Sequence, residues 1–443
     1  MGETKLKDGL RLRQATPLDI EAIAQFNGEI HEDSEDEKGK IAAWSQDLMS
    51  GGHPTTRAEN FWLVESNVGE IVSSACNIPQ TWSYGDIEFK VGRPELVGTA
   101  DRWRKKGLVR MQFELLHQQS EANGDLMQVI TGIPWYYRQF GYSHALDLGG
   151  GRQFDFSRPA NKIDVKVEDE TFLWRIATAD DIPLLQKYYA IHRQHYLLNS
   201  LRNDAIWHFE LNGMSPNSIH RKQFWLITYK DGQPAGYVSL LEWPNGTLVN
   251  EIACEPTQSV REFALFITRA VGRYIDEVNE KKTRGESEKP PSKQLVFYCG
   301  REHPVYLALG DQLGELNKPY AWYIRIPNIP AFLNHIRPVL ERRVANSVLV
   351  GHSGVLKINL YTEQFSLEFK NGQLTQIVSY EPKNFQDGNC FFTWPEFIQL
   401  ICGHKSFEEL THIHVDCHCR SPEAKILIEI LFPKIVSSPI GVN

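Results

Sequence analysis

Two segments of this chain are spelled alike. Residues 13–20 read RQATPLDI and residues 175–182 read RIATADDI, and both fit R-x-A-T-x-x-D-I. They lie 162 residues apart, and a second pair, FWLV at 61–64 and FWLI at 224–227, keeps nearly the same spacing, 163. Two matches in one register point to a duplicated unit of about 160 residues, an ordinary domain size. Each copy begins with a short strand (LRLRQA, FLWRIA) that ends in Thr. That Thr can cap a following helix, with Asp three residues on completing the box. In the first copy the helix over 18–27 sets Ile20, Ile23, Ala24 and Phe26 on one face. Strands FWLVES and GEIVSSACNI follow, joined by a turn around 67–69. In the second copy FWLITYK and PAGYVSLLEW flank Asp231-Gly232, a hairpin signal. Strand, helix, strands, helix, strand is an α/β or α+β pattern.

After residue 330 the texture changes to a third, smaller α+β domain. VLKINLYTEQFSLEFKNGQLTQIVSYEP alternates as strands about an Asn371-Gly372 turn, and TWPEFIQLICG is a short helix. HIHVDCHC reads as a strand with His412, His414, Asp416 and His418 on one face and Cys417 and Cys419 on the other. Ligands at i, i+2 seldom close a tetrahedron alone, so this is expected to be a polar sheet face with no metal. AKILIEILFP reads as the last strand. The divisions expected are 1–156, 170–328 and 329–443. DLGGGR, at 147–152, reads as a bulge or turn, because no phosphate-site helix follows it.

Composition narrows the function classes. No apolar run approaches the roughly 18 residues of a membrane span, so no membrane partner is expected. Seven Cys without a CxxC pair suit reduced thiols in a cytoplasm. A net charge of -8 argues against nucleic-acid affinity and suits a cationic substrate. Against that acidic background, DRWRKKGLVR at 101–110 gathers Arg102, Arg104, Lys105, Lys106 and Arg110 around Gly107. The strand ELVGTA precedes it and the helix GLVRMQFELLHQQSEANG follows. The basic turn therefore sits at a helix N-terminus, where unpaired N–H groups and the helix dipole favour an anion. The competing reading is a solvated basic face. Copy two keeps the helix but has Glu255, Pro256, Thr257 and Gln258 at the turn, so the fold itself does not need those basic residues.

R-K-K-G-L-V resembles the Q/R-x-x-G-x-G/A loop of the GNAT acyltransferases, with Val109 in place of the last Gly or Ala. TGIPWYYRQFGY, at 131–142, resembles the strand and Y-x-x-F-G-Y/F element that ends a GNAT domain. One such copy, a second copy and a small C-terminal domain resemble the Eis-type (enhanced intracellular survival) N-acetyltransferases. The resemblance implies two tandem GNAT-fold domains, each a mixed sheet with flanking helices, plus a sterol-carrier-like α+β domain. It also implies transfer of the acetyl group of acetyl-CoA to a primary amine of a cationic small molecule or peptide, aminoglycoside-like or lysine-like. The resembled family forms hexamers, which implies a homo-oligomer.

The residue roles follow from that resemblance. Tyr137 matches the general acid. The base is either the C-terminal carboxylate, here on Asn443, or Glu95, which lies on the same strand face as Val97 and Thr99. Val97 and Thr99 match the positions that pair with pantetheine. Arg104, Lys105, Lys106, Gly107, Leu108 and Val109 match the pyrophosphate loop, with Arg110 adding a contact. Gly132 and Ile133 match the strand where the acetyl arm enters. HEDSEDE, at 31–37, stands where the fold places the acceptor wall; Glu32 and Asp33 are expected there to attract a cationic amine, with Trp82 and Trp44 lining the pocket. The alternatives are a lipid or sterol carrier with GNAT scaffolding, and an aminoacyl-tRNA-dependent transferase.

Overall fold

The repeated segment builds the same helix start twice. Thr16 N donates to Asp19 at 2.8 Å and Thr178 N donates to Asp181 at 2.8 Å, closing a capping box in each copy. The arginine that opens the motif clamps that aspartate. Arg13 reaches Asp19 at 2.9 and 2.7 Å, and Arg175 reaches Asp181 at 2.7 Å through both nitrogens. The guanidinium is the main reason the Asp19 carboxyl is held down at about 2. The helices Ile20–His31 and Ile182–Arg193 grow from these starts. The computed structural model describes residues 3–32, 34–158, 161, 165–243, 246–281 and 293–440.

Two sheets follow the duplication, with one exchange between them. The first has nine strands. Its continuous path runs Thr4–Lys5, Arg11–Gln14, Phe61–Glu65, Ile71–Tyr84, Ile87–Thr99, Met127–Thr131, Tyr320–Arg325, Ser143–Leu148, and Leu198–Ser200 pairs with Ile71–Tyr84. The second has seven, in the order Leu313–Asn317, Gly151–Phe154, Leu295–Phe297, Gly246–Cys254, Pro234–Trp243, Lys222–Tyr229, Phe172–Ile176. Tyr320–Arg325, late in the chain, thus lies between two strands of the first copy. Gly151–Phe154, from the first copy, lies between two strands of the second.

The chain crosses between the sheets at Gly149-Gly150-Gly151, the glycines of DLGGGR. A Cβ on Gly149 would stand 2.0 Å from the Tyr298 hydroxyl, and one on Gly151 would stand 2.2 Å from the Phe297 carbonyl. Only glycine lets the backbone pass so close to its neighbours.

The C-terminal unit is α+β as expected. Its five strands run Gln373–Ser379, Gln364–Lys370, Gly354–Asn359, Cys390–Phe391, His418–Cys419, packed with the helices Ile329–His335, Arg337–Ala345, Trp394–Ile401, Phe407–Ile413 and Pro422–Leu431. Its apolar interior is continuous with the first sheet's, through Trp82, Tyr84, Trp322, Phe332 and Phe397.

Three expectations for this region are corrected. Residues 412–419 are not one strand: a helix covers Phe407–Ile413, and only His418–Cys419 is extended. AKILIEILFP falls mostly in the helix Pro422–Leu431, because Ser421 caps it through Ala424 N and Pro422 is preformed for its first turn. Cys390 and Cys419, directly opposite across paired strands, form a disulfide, so not every thiol is reduced.

One buried carboxylate makes stability pH-dependent. Asp125 accepts from Ser120 Oγ at 2.6 Å, and burial pushes its carboxyl up to about 6. The folded state therefore binds this proton more tightly than the unfolded chain does. The associated stability is fully present below the ordinary carboxylate range and is lost as pH rises to about 6. Asp125→Asn keeps the acceptor for Ser120 and removes the charge. It is expected to gain about 1–2 kcal/mol at pH 8 and almost nothing at pH 4, measured by urea unfolding at both values.

Candidate active site

The site begins with a strand that leaves its ladder. Ile87–Thr99 runs parallel to Met127–Thr131 and pairs with it only at Val91 and Gly92. Beyond that point the two strands separate and a cleft opens between them. On its other side the strand pairs Gly98 with Ser74 and Glu95 with Cys76, so Leu96 and Val97 together face the single residue Ala75. This is a β-bulge, and Leu96 takes a left-handed φ of 51° to make it. The bulge overturns one expectation. Thr99 lies opposite Ser73 and Glu95 opposite Cys76, three positions apart, so Glu95 and Thr99 lie on opposite faces.

Past the strand's end the basic turn leads into the helix Leu108–Ala122. Gly107 is its N-cap, at φ 79° and ψ 8°, and no side chain caps the helix. The first bond into the helix runs from Met111 N to the Gly107 carbonyl at 3.2 Å, which leaves the N–H groups of the first turn to face the loop. A Cβ at Gly107 would meet nothing within 4 Å, and Lys105 is also left-handed, at φ 62°. The turn is therefore open, with backbone donors rather than a side chain at its mouth. Its cations are partly tied at the rim: Arg104 to Asp101 at 2.8 Å, Arg102 to Glu70, and Lys106 to Asp8. Arg104 Nε also donates to the Thr99 carbonyl at 3.1 Å, and Arg110 donates to Gln139 at 2.9 Å.

A cavity of about 660 Å³ occupies this part of the cleft, lined by Val97, Gly98, Thr99, the turn from Arg104 to Arg110, Ile133 and Tyr137. All the expected cofactor-binding residues except Gly132 line it. Gly132 lies beneath it: its carbonyl accepts from Tyr320 Oη, and a Cβ there would stand 1.9 Å from the Tyr137 ring. Ile30, His31, Trp103, Tyr136, Gln139 and Phe140 complete the lining, and none of these was singled out in sequence for this cavity. The bulge brings His31 here, its ring against Gly98 and the Leu96 backbone. At the corresponding turn of the second sheet Glu255 accepts from Tyr188 at 2.9 Å and pairs with Lys187. An acid therefore stands where the first copy has its basic loop.

Tyr137 is 4% exposed, on a short 3-10 turn over Tyr136–Phe140, and its ring packs against Phe113, Tyr136 and Tyr323. Burial, with the charge of Glu95 adding to it, pushes its phenol well above the ordinary range, so it stays protonated. Glu95 takes two contacts from Arg93, at 2.9 and 2.7 Å, and lies 3.5 Å from Thr131 Oγ1. Arg93 in turn lies over the Trp322 ring at 5.4 Å. Trp322 and Tyr323 come from the exchanged strand, so the second copy completes the first copy's site.

Arg93, Thr131 and Trp322 open onto a second cavity, of about 580 Å³, walled by the strands of the second sheet and by the C-terminal tail from Val436 to Ile440. The tail is held along Leu198–Ser200: Leu197 N donates to the Val436 carbonyl at 2.8 Å and Ser438 N to the Leu198 carbonyl at 3.1 Å. Asn443 and Asp33 lie outside the described residues. Glu32 is half-buried and, like His31, Ser34 and Glu37, does not line this cavity. Trp82 is fully buried behind Trp322, with its Nε1 bonded to Gln80 at 2.9 Å, and Trp44 packs edge-on against His220 at 4.4 Å. Neither tryptophan lines the cavity; Trp322 and His220 do. Among the described residues one group of metal-ligand type stands together: His144, Asp147 and His404, with ligand atoms within 4.8 Å of one another. Arg138, Arg301 and Lys405 act on this group electrostatically, and such cations oppose a dication.

Residues 11–145 match the acetyltransferase (GNAT) domain family. No curated protein matches the chain in sequence. Among solved structures the chain is similar to a GCN5-related N-acetyltransferase from Anabaena variabilis, at 15% identity and a TM-score of 0.66, covering 97% of this chain and 99% of that one. It is similar to a probable N-acyltransferase from Enterococcus faecalis at 11% identity and a TM-score of 0.67, covering 98% and 99%. Eis1 from Mycobacterium abscessus matches at 10% identity and a TM-score of 0.60, covering 98% and 99%. The fold is that of tandem GNAT domains with a C-terminal domain.

Proposed function

We propose that the chain transfers the acetyl group of acetyl-CoA to a primary amine, with Tyr137 as general acid. The observation that carries this reading is the place of Glu95 near the linings of two cavities. Tyr137 lines one and Thr131 the other, and Glu95 lies 3.5 Å from Thr131 while its charge acts on Tyr137.

The residues present fit acetyl-CoA, which supplies the activated thioester. Arg104, Lys105, Lys106 and the uncapped N–H groups of Leu108, Val109 and Arg110 suit its pyrophosphate. Val97, outside the ladder in the bulge, offers backbone groups to the pantetheine arm.

A lysine-like amine has a pKa near 10.4, so presenting it neutral at pH 7 costs about 4.6 kcal/mol. In the transfer the nitrogen–acetyl carbon bond forms and the carbon–sulfur bond breaks. The amine loses a proton to a base, and the departing thiolate takes one from Tyr137. Arg93 holds Glu95 at two points. The tail lines the acceptor cavity as far as Ile440. Glu95, beside Thr131 at that cavity, is the group placed to orient the amine.

The test is thiol release by the purified chain with acetyl-CoA and a panel of primary amines, with the product identified by mass spectrometry. Release that depends on the amine and yields the N-acetylated compound is expected. Acetyl-CoA binding with no amine-dependent release would contradict the reading.

A further inference from the structure

The acceptor cavity is lined against the chemistry of a polycation. Among the described residues its charged lining is Arg93, Lys222 and Arg301 against a single carboxylate, Asp147, and Asp147 already lies 3.7 Å from Arg301. An amine carrying several ammonium groups would bring its charges to three cations and one engaged acid, at a desolvation cost nothing in the wall offsets.

Lys222 is the most informative of these groups. It is 7% exposed and lies at the cavity wall. Its Nζ makes no hydrogen bond, at 3.7 Å from Glu210 and 3.9 Å from Glu251. Those two carboxylates stand behind the wall and are themselves bound by Arg202, Glu251 at 2.8 Å and Glu210 at 3.1 Å. They cancel the charge of Lys222 at a distance while leaving its N–H donors unused. Elsewhere at the wall, Asn250 Oδ1 also has no partner. A buried ammonium with idle donors is a polar subsite for an anionic group. Much of the remaining wall is apolar, with Leu241, Trp243, Leu248 and Val296 among its lining, and the volume suits a small organic ligand.

We propose that the acceptor is an amphipathic amine with a free carboxylate, an apolar amino acid or short peptide, whose carboxylate is held by Lys222 and Arg301. Its amine points to Thr131, which lies 3.5 Å from Glu95, and its apolar side chain lies against Trp243 and Leu248. This rests on the N-acetyl transfer proposed above and replaces the polycation that the acidic stretch at 31–37 suggests.

The test compares kcat/KM by thiol release for leucine and phenylalanine, their amides, the dipeptide leucyl-phenylalanine, spermidine and an aminoglycoside. The free acids or the dipeptide are expected to exceed the amides by about 10- to 100-fold, the range for losing a charge-assisted hydrogen bond. The dipeptide outpacing the free acids identifies a peptide acceptor, and the reverse identifies an amino acid. Lys222→Met removes the subsite but leaves two buried glutamates less compensated. Arg301→Gln, at a half-exposed position, is therefore the second variant. It is expected to lower kcat/KM for the acids through KM, and by at least tenfold more than for the amides. Amides equal to acids, or spermidine or the aminoglycoside as the best acceptor, overturns the proposal while leaving acetyl transfer standing. No release with any amine, in a protein that still binds acetyl-CoA, removes the transfer reading and this proposal with it.

Discussion

Tyr137→Phe is expected to lower kcat by about 10²–10⁴-fold, the range for a lost general acid, while acetyl-CoA affinity stays within about twofold. The ring keeps its packing against Phe113, Tyr136 and Tyr323 and its seat over Gly132, so the variant subtracts a hydroxyl and little else. The phenol is pushed up by burial and by the negative charge of Glu95. It therefore holds its proton at pH values where an ordinary tyrosine begins to ionise. The wild-type rate should show no loss assignable to this phenol up to about pH 10, and a pH profile of kcat checks the sign. An equal loss of affinity and kcat would mean that Tyr137 shapes the cofactor cavity and does not act on the thiolate.

Arg202→Met is expected to destabilise the fold by about 3–5 kcal/mol, the usual cost of stranding a buried charge. Arg202 is wholly buried in the second unit, stacked with Tyr189 at 4.6 Å and Trp207 at 4.7 Å. It donates to both oxygens of Glu251 at 2.8 Å and contacts Glu210 at 3.1 Å. Burial alone would raise the Glu251 carboxyl; Arg202 outweighs it and holds the group at about 2. The stability this supplies is present above the ordinary carboxylate range and is lost as pH falls toward 2. The penalty of the variant should therefore be largest at pH 7 and shrink in acid, read as the shift of the urea midpoint at two pH values. Arg202→Met with Glu251→Gln should recover part of the loss. No recovery would mean that the aromatic stacking, not the ion pair, carries the stability.

Glu251 also shows how far the duplication reaches. It lies opposite Ser239 as Glu95 lies opposite Cys76, and Ser239 and Cys76 are 163 residues apart. The same strand position carries a glutamate in both copies. In the first it meets the cleft between two cavities; in the second it is sealed beneath the acceptor wall.

What the residues disclosed directly was local. The capping box of the repeat, the glycine-centred basic turn before a helix, and Tyr137 three before Phe140 are each written within about ten consecutive residues. What escaped depends on distant segments or on a break in periodicity. The bulge at Leu96 inserts one residue, and every face assignment past it shifts. The strand exchange cannot be read from the repeat, because each copy carries a full set of strand-like segments whichever sheet they enter. TWPEFIQLICG reads as the helix it is, but Phe407–Ile413 and Pro422–Leu431 do not, because HIHVDCHC alternates as a strand does and the caps that decide the matter, Ser406 and Ser421, stand upstream. The acceptor cavity draws on residues near 93, 131, 222, 301 and 437, and no spacing along the chain announces them.

The measurement closest to the central claim is calorimetric titration of acetyl-CoA into the full chain and into a variant with Arg104, Lys105 and Lys106 changed to Gln. One site per chain is predicted, weakened at least tenfold in the variant, because the second copy carries Glu255 at the turn where the first has its basic loop. Two sites per chain, or one site indifferent to the three substitutions, would contradict the assignment of that turn to the cofactor.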